Sequence, residues 1–422
     1  MMPGQEPRRS SRAWVTVALL MVVCFVSHLN RVSMAVAGDQ QLIEKYSISP
    51  TQMGAVYSAF LFVYTIFMIP GGFFIDRVGP GLALSTMAIL SGLFGAATGA
   101  LGWIISSGAQ LWIGLLLVRG TMGLCTTPLH PGAARSVGLW VDPNRRTLAN
   151  GLVNGAALLG IASCYSVFGN LIRGLTWPGA FILMGAVTIG VGLIWRKHSS
   201  TLFPRGAASE KPASDLASAA QRLHWQSLFR NRGLLLLTVS YGAVGYFQYL
   251  FFYWMHFYFD KVLHLGATRS EYYAGIPPLV MAVGMPLGGW AGDFARRRCG
   301  RFWVIVPIAG MVGSAVLLAI GIFATSPGWI VAWFSLALGT LGMSEGSFWV
   351  TAVELGGKEG GTSAAICNTG GNAGGMLAPI ITPWVSGIWG WPVGIGVGSV
   401  VCLLGAACWL GIRSGPARAA EA

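Results

Sequence analysis

Residues 71–76 read GGFFID and residues 288–293 read GGWAGD, the same glycine pair, apolar step and aspartate repeated 217 positions later. A second pair of segments keeps that spacing. NGLVNGAALLG at 150–160 carries Asn150 and Asn154, and NTGGNAGGMLA at 368–378 carries Asn368 and Asn372, 218 positions on. Two unrelated motifs agreeing within one residue mark a chain made of duplicated halves. What each half contains follows from hydropathy.

The chain has 422 residues, of which 54% are hydrophobic and only 10% charged, and its mean hydropathy is +0.64. Soluble domains sit near ~25% charged, so this composition belongs to a membrane protein. Apolar stretches of ~20 residues, each enough to cross ~30 Å of hydrocarbon, recur from end to end. Twelve spans are expected, at 14–38, 52–75, 81–104, 109–136, 147–171, 178–195, 233–258, 272–294, 302–324, 328–353, 361–386 and 391–412. Residues 196–232 interrupt them with a small, polar, proline-containing segment of linker character. The expected fold is all-α and integral to the membrane: twelve transmembrane helices in two pseudo-symmetric six-helix bundles, 1–195 and 233–422, joined by a cytoplasmic linker, 196–232. A duplicated bundle of this kind holds its ligand between the halves near the midplane.

The net charge of +13 invites a nucleic-acid partner, but its distribution argues against one. With a cytoplasmic N-terminus, the outer loops carry only Lys45, Arg173, Lys261 and Arg269, and Arg31 and Arg119 lie inside apolar runs. The other basic residues fall in inner loops and tails. That positive-inside bias puts both termini in the cytoplasm and makes the bilayer the partner the charge serves. Arg8, Arg9 and Arg12 before a short apolar core and Ala35-Val36-Ala37 mimic a secretory signal. Cleavage there would leave eleven spans and break the duplication, so the first helix is read as retained. Seven cysteines lie mostly within apolar runs, and their spacing suggests neither a metal cluster nor a disulfide framework. No metal or cofactor is called for. The absence of an N-x-S/T site is consistent with a bacterial inner membrane.

Three ionisable residues sit deep in the spans. Arg31 lies ~12 Å and Arg119 ~15 Å from the outer ends of their helices at 1.5 Å per residue. A charge at that depth costs ~2.5–3.5 kcal/mol even on lenient scales, and neither arginine has an acid beside it in sequence. Each could snorkel to the outer interface. One shared site explains both more economically: a guanidinium stays protonated and grips carboxylate or phosphate through two parallel bonds. The missing counter-charge would then arrive as substrate. Glu345, in GMSEGSFWV (342–350), is the one carboxylate at comparable depth. It is a candidate proton-coupling group, the alternative being a structural salt bridge or a hydrogen-bonded acid.

Other candidates follow from position. Gly71-Gly72 and Gly288-Gly289 permit close backbone approach, and Asp76, Arg77 and Asp293 then reach the cytoplasmic rim as gating residues. There a carboxylate can face the N–H groups that start a neighbouring helix; a simple tight inner turn is the alternative. The Asn pairs, one helical turn apart, serve either interhelical packing or substrate contact. Tyr246, Tyr249 and Tyr253 share a helix face, and Gln248 falls 217 positions after Arg31. Helical tyrosines are commonly packing or interface residues, so a ligand role for Tyr246 competes with that reading.

With these residues in place the chain resembles the major facilitator superfamily, and within it the anion:cation symporter family, which carries hexuronates, galactonate, glucarate and related organic anions. HLNRVSMAVAG (28–38) is similar to that family's "DR-x-x-x-x-x-A" segment, and IPGGFFIDRVGPG (69–81) to its loop signature. RGTMGLCTTPLHPGAARSVGLWV (119–141) is similar to "R-x-x-x-G-x-x-E-A-P-x-F-P-x-x-x-R", matching at Arg119, Gly123, Pro128, Pro131 and Arg135. The resemblance implies that Arg31 and Arg119 contact an anion and that Tyr64, with Asn368 or Asn372, lines the cavity. The departures are equally informative. The family's two coupling acids are Asn30 and Thr126 here, neither of which titrates, and its phenylalanine is His130. Coupling would then run through Glu345, which falls near Thr126 after the repeat offset is subtracted, or be absent.

The expected function is secondary active transport of a small organic anion, a sugar acid or other carboxylate, by alternating access, as ion-coupled import. The partners are that anion, a proton or sodium ion and the bilayer, with the chain a monomer in the inner membrane. Substrate-binding candidates are Arg31, Arg119, Tyr64, Asn154, Tyr246, Gln248, Asn368 and Asn372. The alternative within transporters is an organophosphate/phosphate exchanger or an efflux carrier. No nucleophile elbow or convergent Ser/His/Asp set favours an enzyme.

Overall fold

The computed structural model describes residues 6–48, 50–202, 228–299 and 303–412. Most of the expected linker, 203–227, lies outside the described residues. The helices of the first part are α1 (Glu6–Ala37), α2 (Pro50–Ile66), α3 (Met68–Val78), α4 (Pro80–Ile104), α5 (Gly108–Thr126), α6 (Leu129–Trp140), α7 (Arg146–Ala162) and α8 (Cys164–Leu202). Those of the second are α9 (Arg232–Phe257), α10 (Ala267–Cys299), α11 (Ile305–Ile322), α12 (Pro327–Gly356), α13 (Gly360–Trp389) and α14 (Trp391–Cys408).

Each of the twelve expected spans is helical over most of its described residues, and the breaks have chemical causes. α2 and α3 meet at 53°, three residues before Pro70, which has no N–H to offer Ile66. Pro128 likewise leaves the carbonyl of Leu124 without its helical donor. The N–H of Thr127 at 3.4 Å and its hydroxyl at 3.0 Å both turn to that oxygen instead, and the helix restarts as α6. Inside α8 the chain changes direction at Thr176, whose φ is 62°, just before Trp177 and Pro178.

Eight helices among the described residues are long and apolar enough to cross a membrane, nine when the bent pair α2–α3 counts as one span. α7, α12 and α13 fall short of that measure. These three carry Asn150 and Asn154, Glu345, and Asn368 and Asn372. α12 and α13 are buried along most of their length, so neighbouring helices rather than lipid cover their polar and glycine-rich faces.

Two compact units form, residues 1–136 with 156–212, and residues 137–155 with 213–422. In the first, α4 packs along α8, α2 along α5, and α1 against α8; the thiol of Cys164, where α8 begins, points at the carbonyl of Leu29, 3.5 Å away. In the second, α11 packs along α14 and α12, α10 along α12, and α9 along α13. In span order the pairs include 3 with 6 and 2 with 4, then 9 with 12 and 8 with 10. Internal packing thus repeats the duplication seen in sequence. The start of α7 belongs to the second unit because Gly151 and Gly155 lie directly against the backbone of α10 at Met285 and Ala282.

The α9–α13 contact depends on missing side chains. A Cβ on Gly245 would overlap the backbone of Gly371, and one on Gly374 that of Gly242. Small residues let helices approach this closely where no hydrophobic effect drives them together. Gly245→Leu is expected to lower the melting temperature and the yield of monodisperse protein, since overpacking a tight contact costs ~1–3 kcal/mol or more. Size-exclusion profiles of detergent extracts check this; a wild-type profile would show that α9 and α13 have room to part.

Candidate functional site

The proline break after α5 and the π-helical turn at Gly38–Leu42 after α1 frame the place where α1, α2 and α5 meet. Arg119 of α5 is 2% exposed. Its Nη2 donates to the carbonyl of Arg31 at 2.6 Å, and its Nη1 points at the carbonyl of Asn30 at 3.4 Å and at the sulfur of Met122 at 3.3 Å. Helix carbonyls keep a second lone pair after serving their own helix, so they can hold a guanidinium without breaking α1. They supply dipoles but no counter-charge.

Arg31 is half-buried. Its Cζ lies 5.1 Å from the centre of the Phe60 ring and 5.5 Å from that of Tyr64. The Cζ of Arg119 is 5.8 Å from the same Phe60 ring. Phe60 and Tyr64, one turn apart on α2, stack at 5.9 Å and 15°. One aromatic face thus serves two cations, an attraction of about 0.5–2 kcal/mol each. Ion pairs among the described residues include Arg135–Asp76, Lys261–Asp260 and Arg296–Glu354. Neither Arg31 nor Arg119 takes part in one. Two positive charges therefore share one neighbourhood with no ion-paired acid among the described residues; Arg119 is buried on the α1 carbonyls and Arg31 is half-buried.

Next to them, Asn30 is fully buried and donates to the hydroxyl of Thr188 at 3.3 Å, while its Oδ1 has no hydrogen-bond partner. Thr126 turns its hydroxyl back to the carbonyl of Met122 at 2.7 Å. Asp76, near the C-terminal end of α3, lies 4.0 Å from Arg135, and Arg77 beside it is exposed.

The second unit holds the other candidates. Glu345 of α12 is 4% exposed. Its Oε1 accepts the hydroxyl of Tyr241 at 2.5 Å and the indole N–H of Trp349 at 3.2 Å, and its Oε2 has no partner. Tyr246 shares a 3.0 Å hydrogen bond with Thr382, and Gln248 points its amide at the sulfur of Met281, 3.3 Å away. Asn154 donates back to the carbonyl of Asn150, and Asn150 to that of Arg146, both at 2.9 Å, so these two amides spend a donor on their own helix. Asn368 and Asn372 are buried, and Nδ2 of Asn372 has no partner. Asp293, 2% exposed, accepts the backbone N–H of Thr147 at 3.0 Å and that of Leu148 at 2.9 Å. Gly289 lies against the same two residues, so the glycine admits the start of α7 and the aspartate caps it.

The family model described as Major Facilitator Superfamily matches residues 20–368. The chain belongs to the major facilitator superfamily. It is accordingly a multi-pass membrane transporter and not an enzyme. Among its relatives are a probable sulfoacetate transporter of Cupriavidus necator, 25% identical over 378 residues covering 86% of this chain and 85% of the relative. A probable galactarate/D-glucarate transporter of Escherichia coli is 25% identical over 410 residues, covering 91% and 89%. A D-galactonate transporter of Escherichia coli is 24% identical over 428 residues, covering 97% of each. The fold is shared with the Escherichia coli fucose:proton symporter, at TM-score 0.64 and 17% identity over 95% of this chain and 99% of that one. A double-tryptophan mutant of XylE gives TM-score 0.71 at 15% identity, covering 97% and 98%.

In this superfamily member, sequence reasoning missed Phe60, Tyr241, Trp349 and Thr382. Each is an apolar or hydroxyl residue inside an apolar run, where nothing local distinguishes it from packing. His28 had a signal, a titratable residue within a span, one turn before Arg31.

Proposed function

We propose that this chain imports a small organic anion, a sugar acid or other carboxylate, by secondary active transport coupled to a proton or sodium ion. Arg31 takes the anion's charge through its fork. Arg119, held by the α1 carbonyls, positions that stretch of helix and adds a second positive charge. The observation that carries the reading is the guanidinium pair around Phe60 with no ion-paired acid among the described residues. In a water-poor site such uncompensated charge draws an anion far more strongly than it would in bulk water. The names of the relatives support it, since sulfoacetate, galactarate, glucarate and galactonate all carry a carboxylate. Tyr64 stacks under the arginine, and Tyr246, Gln248, Asn154, Asn368 and Asn372 are proposed for substrate hydroxyls, Asn372 first because its amide donor is unused. Asp76, Arg77 and Asp293 are proposed as the gate. The carrier is proposed as a monomer of two bundles, 1–195 and 233–422, in the inner membrane, with both termini and the 196–232 linker cytoplasmic.

Uptake of labelled D-glucarate, D-galactonate and sulfoacetate into proteoliposomes, under imposed pH and sodium gradients, tests this. Saturable uptake that carboxylates compete and phosphate does not is the expected result. Exchange of phosphate without carboxylate uptake would transfer the site to phosphorylated substrates.

A further inference from the structure

Two imidazoles meet beside the arginine pair. His28 lies one turn before Arg31 on α1 and is 6% exposed. Its Nδ1 is 3.0 Å from the carbonyl oxygen of Cys24. A carbonyl can only accept, so this nitrogen carries a hydrogen whatever the ring's charge. The other nitrogen, Nε2, faces Nε2 of His130 at 3.3 Å, and the rings meet edge to face with centroids 5.0 Å apart.

The arrangement fixes how protons are counted. In the neutral pair His28 is protonated at Nδ1, so its Nε2 presents a lone pair towards Nε2 of His130, and only one hydrogen fits between the two facing nitrogens. A further proton enters through His130, the half-buried ring. The shared hydrogen can then pass across the Nε2–Nε2 link, moving the charge onto His28 without breaking any other bond. A second extra proton is excluded, because two imidazolium rings would aim N–H at N–H. The pair holds one added proton.

Its surroundings decide when that proton is welcome. The charged and titratable groups around the pair and its arginines include Arg31 and Cys24 on α1, Tyr57 and Tyr64 on α2, Asp76 on α3, Arg119 and Cys125 on α5, Arg135 on α6 and Cys164 on α8. The one carboxylate of this set, Asp76, lies 4.0 Å from Arg135. An added proton thus becomes a third positive charge near Arg31 and Arg119, disfavoured until an anion offsets it. Once an anion sits on Arg31 the repulsion falls, and by linkage the proton tightens the anion by the same factor. Asn30 and Thr126 close by do not titrate, so the imidazoles are the side chains here that can take up a proton.

We propose that the His28–His130 pair is the proton site of this carrier, taking up one proton with each anion bound at Arg31. This rests on the anion-carrier reading above. The test is calorimetric titration of the full-length protein in detergent with D-glucarate, D-galactonate and sulfoacetate, near neutral pH, in buffers of different ionisation enthalpy. Wild type is expected to take up about one proton per anion, and its affinity to weaken about tenfold per pH unit above the pair's titration. His28→Gln and, independently, the less buried His130→Gln are expected to bind anion with proton uptake near zero and a flat pH profile. In proteoliposomes they are expected to keep anion counterflow while losing accumulation driven by a pH gradient. Proton uptake that persists in both variants overturns the pair while leaving the anion site intact. Uptake that vanishes in Glu345→Gln and survives in both histidine variants moves coupling to α12. Absence of binding for every probe in the wild type overturns the anion reading itself, and the proton site with it.

Discussion

Arg31→Gln is expected to reduce organic-anion uptake at least ~100-fold while leaving protein yield and melting temperature near wild type. The fork of Arg31 is half-buried and makes no ion pair among the described residues, so its removal orphans nothing in the resting protein. What it removes is two charge-assisted bonds to the substrate, each contributing about 1.5–3 kcal/mol. Glutamine keeps length and one donor group but no charge. Arg31→Lys keeps the charge and loses the planar fork, so an intermediate loss is expected. Arg119 should behave differently. Its guanidinium is 2% exposed and holds the carbonyls of Asn30 and Arg31, so Arg119→Gln is expected to lower both uptake and melting temperature. Initial rates and thermal unfolding measured on the same preparations separate the two roles. Wild-type uptake in Arg31→Gln would remove the anion from α1 altogether.

The second large effect concerns Asp293. Its two oxygens each accept one N–H at the start of α7, from Thr147 and Leu148. These are orphan donors that a helix cannot satisfy from within, and the carboxylate also meets the positive end of the α7 dipole. In Asp293→Asn one oxygen becomes an NH2 group that cannot accept, and the charge is lost. The expected cost is ~1.5–3 kcal/mol, the usual worth of a charged hydrogen bond. Hydrogen exchange read by mass spectrometry over 146–155 should then speed up ~10–100-fold, with net uptake falling in parallel. Unchanged protection there would show that the glycine contacts alone hold the start of α7, and the gating assignment of Asp293 would be lost.

Much of this protein was legible from one dimension. Spans are visible because hydrocarbon demands ~20 apolar residues in a row, and the duplication is visible because motifs recur at 217 and 218. Arg31, Arg119 and Glu345 announced themselves as charges where lipid tolerates few, and Asp293 through the repeated glycine-pair and aspartate motif. The aspartate's partner could be anticipated only as some helix start. That it is α7, 146 residues away in sequence, came from the fold.

The sequence by itself thus determined an all-helical, duplicated membrane carrier and the short set of residues that cost energy to bury, because hydropathy, repeats and rare charges are properties of each residue alone. Only the tertiary structure decided which arginine is half-buried and which is fastened to α1, that Phe60 lies beside both, that Glu345 answers to Tyr241, and that two histidines face each other. Those facts depend on distance and direction between atoms far apart along the chain, and a hydrogen bond has no signature until both its ends are placed.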